Sequence, residues 1–419
     1  MSLLLNTSLV VTPTVYNAGT LFGIVPTDPS SNNADFTVTR ATTKTRTNSA
    51  GLIETIAINV PSIDYSLGGC PNILLEPQRT NLFVRSEEFN TTPAWSSILG
   101  SVTANATISP SGSMDADRFT GDGTLGSHRV AQGVSITSGS AYTISCYVKK
   151  DTCDFFQFYF TSANFLSQAF ANFDVNNGVL GTLGVNSITS SITDAGNGWY
   201  RCSMTSNAIS SSTSVSMNLA LIPTATSSRS FNNELTTSLF LWGAQIEVST
   251  YPTSYIPTTS ATVTRNADNI ARNNVFTNNL ITANGGTWFI DLRNNLSLTR
   301  EAFTGGLFLN TGTVSNTNNG FLFRTSTSPA RMTINKIVSG TLTQLYQLLT
   351  NNSKIAIKWD GTTADVFVDG VKVVTATAFT TTAMENLITD GTNRAIQYNS
   401  MLLAPTPLTD EQCIALTTL

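Results

Sequence analysis

Apolar and polar side chains alternate with a period of two along most of this chain, and turn-forming clusters interrupt them roughly every 8–12 residues. In "SAYTISCYVKK", Tyr142, Ile144, Cys146 and Val148 fall on one face, and Thr143, Ser145 and Tyr147 on the other. "SVSMNLALIP", "SLFLWGAQIEV", "GTWFIDLR", "GFLFRTS", "ARMTINKIV" and "SKIAIKWD" repeat the pattern. "NNG", "GDG", "GNG" and "NGG" stand between such runs, with Gly and Asn suited to the left-handed backbone of tight turns. Short strands spaced in this way predict sandwiches and jelly rolls, so the expected fold class is all-β. One helix is predicted, over "LTDEQCIALTTL". Thr409 caps it, Glu411 or Gln412 lies in its first turn, and Ile414 and Leu416 form its apolar side.

The clarity of the alternation divides the 419 residues into segments. Residues 1–84 alternate poorly, carry many Pro, Gly and Asn breaks, and predict an irregular N-terminal module. Residues 85–258 form a first β-rich block that closes on the Pro-punctuated "YPTSYIPTT". Residues 259–268 read as a linker, and residues 269–419 as a second β-sandwich. Val-Thr-Arg occurs in "FTVTRATT" and again in "ATVTRNAD", each time ahead of a new segment. That placement predicts that Arg40 and Arg265 tie chain to domain.

Composition then narrows the function. Charged residues are 11% of the chain, against about 25% in a typical soluble protein. Ser, Thr, Asn and Gly take their place, while a hydrophobic fraction of 41% is enough for real cores. This suits long-lived extracellular β-structure better than a cytosolic enzyme. The net charge is −4 and the 22 Lys and Arg are scattered, so no basic stripe invites nucleic acid. "MSLLLNTSLVVTPTVYN" has neither a basic n-region nor a small-residue cleavage site. No run of about 18 apolar residues calls for membrane insertion. A protein that meets the outside without a secretion signal is expected to leave its cell by lysis. Cys70, Cys146, Cys153, Cys202 and Cys413 fit no zinc spacing. A Cys146–Cys153 bridge is conceivable, but buried reduced thiols are the simpler reading.

"TNLFVRSEEFNTTPAWSS", "DADRFTGDGT", "VSITSGSAYTISCYVKK", "NGWYRCSMT" and "LWGAQIEVSTYPTSYIPTTSATVTR" occur in this order. The series resembles the carbohydrate-binding-module-like jelly roll of virion proteins from tailed bacteriophages. The preceding "DFTVTRATTKTRTNSAGLIETIAINVPSIDYSLGGCPNILLEPQRTNL" is similar to the leader of the same proteins. Over residues 285–419, "KWDGTTADVFVDGVKV" followed by "AIQYNSMLLAPTPLTDEQCIALTTL" resembles the end of a concanavalin A-like, laminin-G-type domain. The residues before Asp35 match neither. The resemblance implies a structural virion protein, a head or tail fibre or decoration subunit, assembled in the host cytoplasm. Its N-terminal module would anchor it to capsid or tail proteins, and its sandwiches would project towards host surface glycans. A symmetric homo-oligomer is implied, a trimer by family habit. Two other classes stay open: a secreted bacterial carbohydrate-binding protein and a polysaccharide depolymerase.

The candidate chemistry is sparse. Asp360, Asp365 and Asp369 are the best-spaced acids, yet Asp360-Gly361 and Asp369-Gly370 fall at strand corners and read as turn formers. A calcium site would need six or more oxygens, which this stretch does not assemble. His128 is the only histidine and reads as a surface or half-buried polar residue; no G-x-S-x-G elbow is present. Glu87-Glu88, Asp115-x-Asp117 and Asp410-Glu411 are the nearest acidic clusters and do not form the E-x-D-x-x-E of jelly-roll glycosidases. Asp115 and Asp117, beside Arg118, predict an ion pair or a turn. No catalytic, metal or cofactor residue emerges, and the expectation is a non-enzyme. Sugar binding asks only for an exposed ring with polar neighbours. "DFFQFYF" turns Phe156, Phe158 and Phe160 to the core and Phe155 and Tyr159 to the other face. There a second packing layer, an oligomer contact and a binding platform all remain open. Trp199, Trp242 and Trp359 are expected in the core, while Trp95 and Trp288 are less constrained. The candidate glycan or subunit contacts are therefore Phe155, Tyr159, Trp95 and Trp288.

Overall fold

The computed structural model describes residues 7–13, 16–26, 28, 32, 35–293, 307–312, 319–325, 332–350, 352–380, 382–390 and 395–418. The fold is all-β, with one short helix near the C-terminus among the described residues. Two compact units divide the chain. Unit one takes Met1–Lys44, Ile56–Gln78 and Asn266–Leu419; unit two takes Thr45–Thr55 and Arg79–Arg265.

Among the described residues, unit two pairs two six-stranded antiparallel sheets. The first runs Ser96–Ile98, Arg129–Ile136, Ser212–Ile222, Phe155–Phe160, Phe170–Asp174, Val179–Leu183. The second runs Gly100–Ile108, Met114–Gly121, Ser238–Val248, Ala141–Lys150, Trp199–Asn207, Ser187–Asp194. Their inner faces meet in one core, with Phe156, Phe158 and Leu219 from the first sheet against Ile144, Cys146 and Leu241 from the second. The Tyr142, Ile144, Cys146 and Val148 face of "SAYTISCYVKK" is the one that turns into this core. Its other face is buried as well, because the segment after Val248 folds back over it. Thr143 Oγ donates to Ser249 O at 2.9 Å, and Arg201 Nη2 to Thr253 O at 2.7 Å.

Unit one packs an eight-stranded sheet on a nine-stranded one, again among the described residues. Gly286–Leu292, Ser353–Trp359, Thr363–Val368 and Ile396–Ala404 form the centre of the first; Asn269–Asn273, Leu307–Asn310, Gly320–Thr325 and Met332–Val338 lie in the second. Trp288 meets Phe323 edge-on at 5.3 Å, and Phe321 stacks on Phe379 at 4.3 Å inside this core. The helix Asp410–Thr417 begins with a capping box, Thr409 and Gln412 each bonding the other's backbone. Its inward residues are Cys413 and Thr417, with Leu416 packed alongside over Phe289, Phe367 and Leu402. Ile414, expected on the apolar side, is exposed, since that position faces away from the sheet.

The N-terminal module expected over residues 1–84 does not stand apart. Leu9–Val11 and Asn72–Leu75 pair with Ile396–Ala404, and Phe36–Thr39 pairs with Asn269–Asn273. These strands are two to four residues long, too short for a period of two to declare itself. Residues 45–55 belong instead to unit two, where Ile53 packs against the Trp199–Trp242–Tyr255 cluster. The expected linker is also structured: Val263–Arg265 pairs with Arg79–Asn81.

Four buried charges join the three stretches of unit one. Asp268 receives Arg40 Nη1 at 2.8 Å and Lys44 Nζ at 2.7 Å, and Lys44 also meets Glu76 at 3.0 Å. Asp268 accepts the Glu76 N–H at 2.9 Å. Arg40 spends its other donors on Thr42 O, Ala57 O and Val60 O. In unit two the matching arginine, Arg265, is equally buried and donates to Ser254 O and Oγ. Both Val-Thr-Arg arginines thus hold backbone from within the interior.

Removing one member of a fully buried pair strands the others without solvent or partner. Asp268→Ala is expected to cost unit one about 3–5 kcal/mol, read as a lower urea midpoint for that unit. A midpoint within error of the parent would mean that the quartet does not hold these strands. All five cysteines are free, and of them Cys70 alone is exposed. Burial pushes the Cys413 thiol up to about 12 and raises Cys146, Cys153 and Cys202. The native chain is therefore expected to release one equivalent of thiol to a disulfide-forming dye and five once unfolded. More than one native equivalent would contradict this packing.

Candidate functional site

The three acids of "KWDGTTADVFVDGVKV" do not converge. Asp360 Oδ1 accepts the N–H groups of Thr362 and Thr363, which holds its carboxyl well below the usual range. Asp369 sits at φ 49° in the hairpin turn and accepts Lys354 N–H at 2.8 Å. Asp365 joins a surface network instead: Lys372 Nζ lies 3.0 Å from both Asp365 and Asp410, and Lys358 bonds Asp410 beside it. This network flanks Phe367 and fixes the C-terminal helix on its sheet. All three acids are structural.

His128, expected at or near the surface, is 0% exposed. Its ring nitrogens face Leu99 O and Asn233 O, the latter at 3.1 Å, so the imidazole fastens two loops rather than serving a nucleophile. Asp117 accepts from Phe89 N at 2.8 Å and Asn105 N at 3.0 Å, while Arg118 approaches Asp151 rather than either neighbouring acid. Glu87 accepts from Tyr255 Oη at 2.9 Å. Among the described residues, no group of three or more His, Cys, Asp or Glu could hold a metal ion. No described helix is long and apolar enough to cross a membrane.

Two of the candidate rings are withdrawn from any ligand. Trp95 and Trp288 are each 1% exposed. Trp95 is wedged between Phe83 and Phe89, with Nε1 donating to Arg85 O at 2.9 Å, and Trp288 lies in the core of unit one. Trp95 lies outside the alternating runs, and in "GTWFIDLR" parity puts Trp288 on one face of its strand without saying what covers that face; large rings go inside because they bury the most apolar area.

Phe155 and Tyr159 do lie on the outer face of the first sheet of unit two, where the alternation put them. Register builds that face in rows. Arg129 stands beside Ala220, then Gln157, then Asn172; Ala131 stands beside Asn218, then Tyr159, then Phe170. The loop after Ile222 covers one side of it. Asn172 Nδ2 donates to Ala225 O and Ser227 O, and Gln157 binds Ser228 O and Ser230 N. Tyr159, packed with Phe170 and Ala220, is consequently 4% exposed, and Phe155 is half-buried. A second packing layer is what this half of the face contains, and its cover is the chain itself.

The other half is polar and partly exposed: Arg129, Ser216 and Arg229 are half-buried, while Asn218 and Ser127 are buried. Asn218 Oδ1 accepts from Arg129 Nε at 3.1 Å and Ser216 Oγ at 3.2 Å. Arg129 Nη1 donates to Ser127 O at 3.0 Å, and Ser127 Oγ lies 3.3 Å from Tyr159 Oη. Arg229, reaching in from the covering loop, lies over the Tyr159 ring at 5.1 Å. Gly133, Ser135 and Ser214 continue the face with small, exposed residues. Asn218 Nδ2 is itself spent on Tyr159 O and Ser216 O, so what the strip presents outward is guanidinium and serine hydroxyl groups, chemistry that hydrogen-bonds a polyhydroxylated ligand. Sequence reasoning found the face through its aromatics but missed Arg129, Asn218 and Arg229, which no motif marks.

No family model and no curated protein matches this sequence. Among solved structures, the chain is similar to the sialidase of Trypanosoma rangeli in complex with sialic acid, at 10% identity and TM-score 0.24. That alignment covers 72% of this chain and 59% of the sialidase chain, so this chain spans under two thirds of it. It is similar to the N-terminal CBM22-1-CBM22-2 tandem of Xyn10C from Paenibacillus barcinonensis, at 12% identity, covering 79% and 91%, TM-score 0.25. A second T. rangeli sialidase structure, the covalent intermediate with 2,3-difluorosialic acid, aligns at 8% identity over 91% and 76%, TM-score 0.26. Likeness at these TM-scores carries no inference about ligand or activity.

Burial raises Glu247, Glu87 and Asp117 above their usual carboxylate range. Glu247 stays raised although Thr253 donates to it and Arg265 and Arg201 lie near. Each binds a proton more readily folded than unfolded. Their contribution to stability is therefore present at low pH and lost as pH rises through the folded values. The urea midpoint of unit two is expected to rise as pH falls through the raised folded values of these carboxyls. Glu247→Gln should flatten that slope; an unchanged slope would remove Glu247 as its source.

Proposed function

We propose that this chain is a non-catalytic structural and adhesive protein of a bacteriophage particle, a head or tail fibre or decoration subunit, whose β-sandwiches contact host surface glycans. The observation that carries the glycan reading is the polar strip of the unit-two face, where half-buried Arg129 and Ser216 are held by hydrogen bonds to buried Asn218 and Ser127 beside exposed Ser135 and Ser214. Fixed polar groups on a rigid sheet suit hydroxyl recognition, because little side-chain entropy remains to be lost on binding. The virion reading is supported by the ordered motifs of the sequence and by a charge content of 11%. Low charge lets identical copies pack side by side without self-repulsion. A symmetric homo-oligomer, a trimer, would multiply weak single-site contacts into useful avidity.

Two measurements test this. On a density gradient of particles from lysed source cultures, the chain is expected to band with them at a constant ratio to the capsid protein. If it remains wholly in the soluble fraction, the virion assignment fails. On an oligosaccharide array the full chain is expected to bind as an oligomer and leave the sugars intact; cleavage of any bound glycan would replace the adhesive reading with a hydrolytic one.

A further inference from the structure

We propose that the ligand of the polar strip is an anionic glycan, one carrying a carboxylate or sulfate, and that Arg129 and Arg229 hold its negative group. This rests on the glycan-binding reading of that strip.

The charges of this chain are few, and many of its arginines are set against acids. Arg40, Arg46, Arg85, Arg118 and Arg293 each approach an Asp or Glu. Arg129 and Arg229 do not: among the described residues, neither meets a carboxylate. Glu234, exposed on the same covering loop as Arg229, pairs with neither.

Both guanidiniums are nevertheless fixed. Arg129 is held by Asn218 Oδ1 and Ser127 O; Arg229 sets Nε at 3.2 Å and Nη2 at 2.7 Å on Phe160 O and stacks over Tyr159. Each therefore uses two nitrogens to lock its position and leaves a third, Nη2 of Arg129 and Nη1 of Arg229, with no protein acceptor among the described residues, on a half-buried side chain. Tyr159 links the two, through Ser127 on one side and its ring on the other. Burial holds Arg229 below the usual guanidinium range, as befits a cation lacking a counter-charge. A planar fork with a spare donor is the group best matched to a carboxylate or sulfate.

The test uses the full chain and isothermal titration with three probes: an oligogalacturonate, a sulfated galactan oligosaccharide, and the neutral galactan oligosaccharide. At least one acidic probe should bind more tightly than the neutral one, with affinity that falls as salt is added. Arg129→Gln and Arg229→Gln should each weaken that binding about ten-fold or more, and by more than they weaken binding of the neutral probe. Arg129→Lys keeps the charge without the fork and should restore part of the loss. Which acidic probe binds distinguishes carboxylate from sulfate recognition. Equal binding of neutral and acidic probes, or acidic binding indifferent to both Gln variants, would overturn the anionic assignment and leave the glycan reading standing. Binding of no probe would overturn both.

Discussion

The quartet of Arg40, Lys44, Glu76 and Asp268 is the constraint on which unit one depends. Its members come from three stretches far apart in sequence, and a carboxylate between two cations in the interior can be satisfied only if all three arrive together. Burying a charge alone is costly, so the partly assembled arrangement is disfavoured and the complete one is selected. Two positive and two negative groups leave no net charge inside, and Arg40 covers further cost by binding three main-chain carbonyls. The short N-terminal strands could add little sheet stability by themselves. Anchored next to Arg40 and Lys44, they become part of the sheets that receive them.

The same economy with charge shapes unit two. Both sheets of its sandwich are covered, at least in part, on their outer faces by the chain's own connections: residues after Val248 over one, residues after Ile222 over the other. Hydroxyls and amides do this covering, since Ser, Thr, Asn and Gln can satisfy buried backbone groups without the desolvation cost of an ion. A composition rich in these residues thus reflects internal hydrogen bonding as much as surface chemistry. What the loop after Ile222 leaves uncovered becomes a rigid polar strip, bordered by Tyr159 and by two arginines whose charge the protein does not answer. A surface of this kind favours many modest contacts over one deep pocket.

Much of this was legible in the chain. The alternation placed Phe156, Phe158 and Phe160 inside and Phe155 and Tyr159 outside, and the turn chemistry of Asp-Gly identified Asp360 and Asp369 as corner residues. These are local properties: side-chain parity along a strand and the backbone preferences of a turn depend on neighbours in sequence. The capping box at Thr409 is local for the same reason, whereas the inward side of that helix was misjudged because only the docked sheet defines it.

What the sequence could not reveal is what lies over each strand. His128 looked like a surface residue and is enclosed by two loops; Trp95 and Trp288 looked available and are core. Residues 1–84 looked like a separate module and are shared between two sandwiches. The sequence by itself determined that this is a low-charge, all-β protein, which strands it has, and which faces of them turn inward. Tertiary structure alone decided which distant segments pair, which outer faces the chain covers for itself, and which arginines remain without a counter-charge. Burial and ion pairing are set by contacts across hundreds of residues, and a period of two carries no information about them.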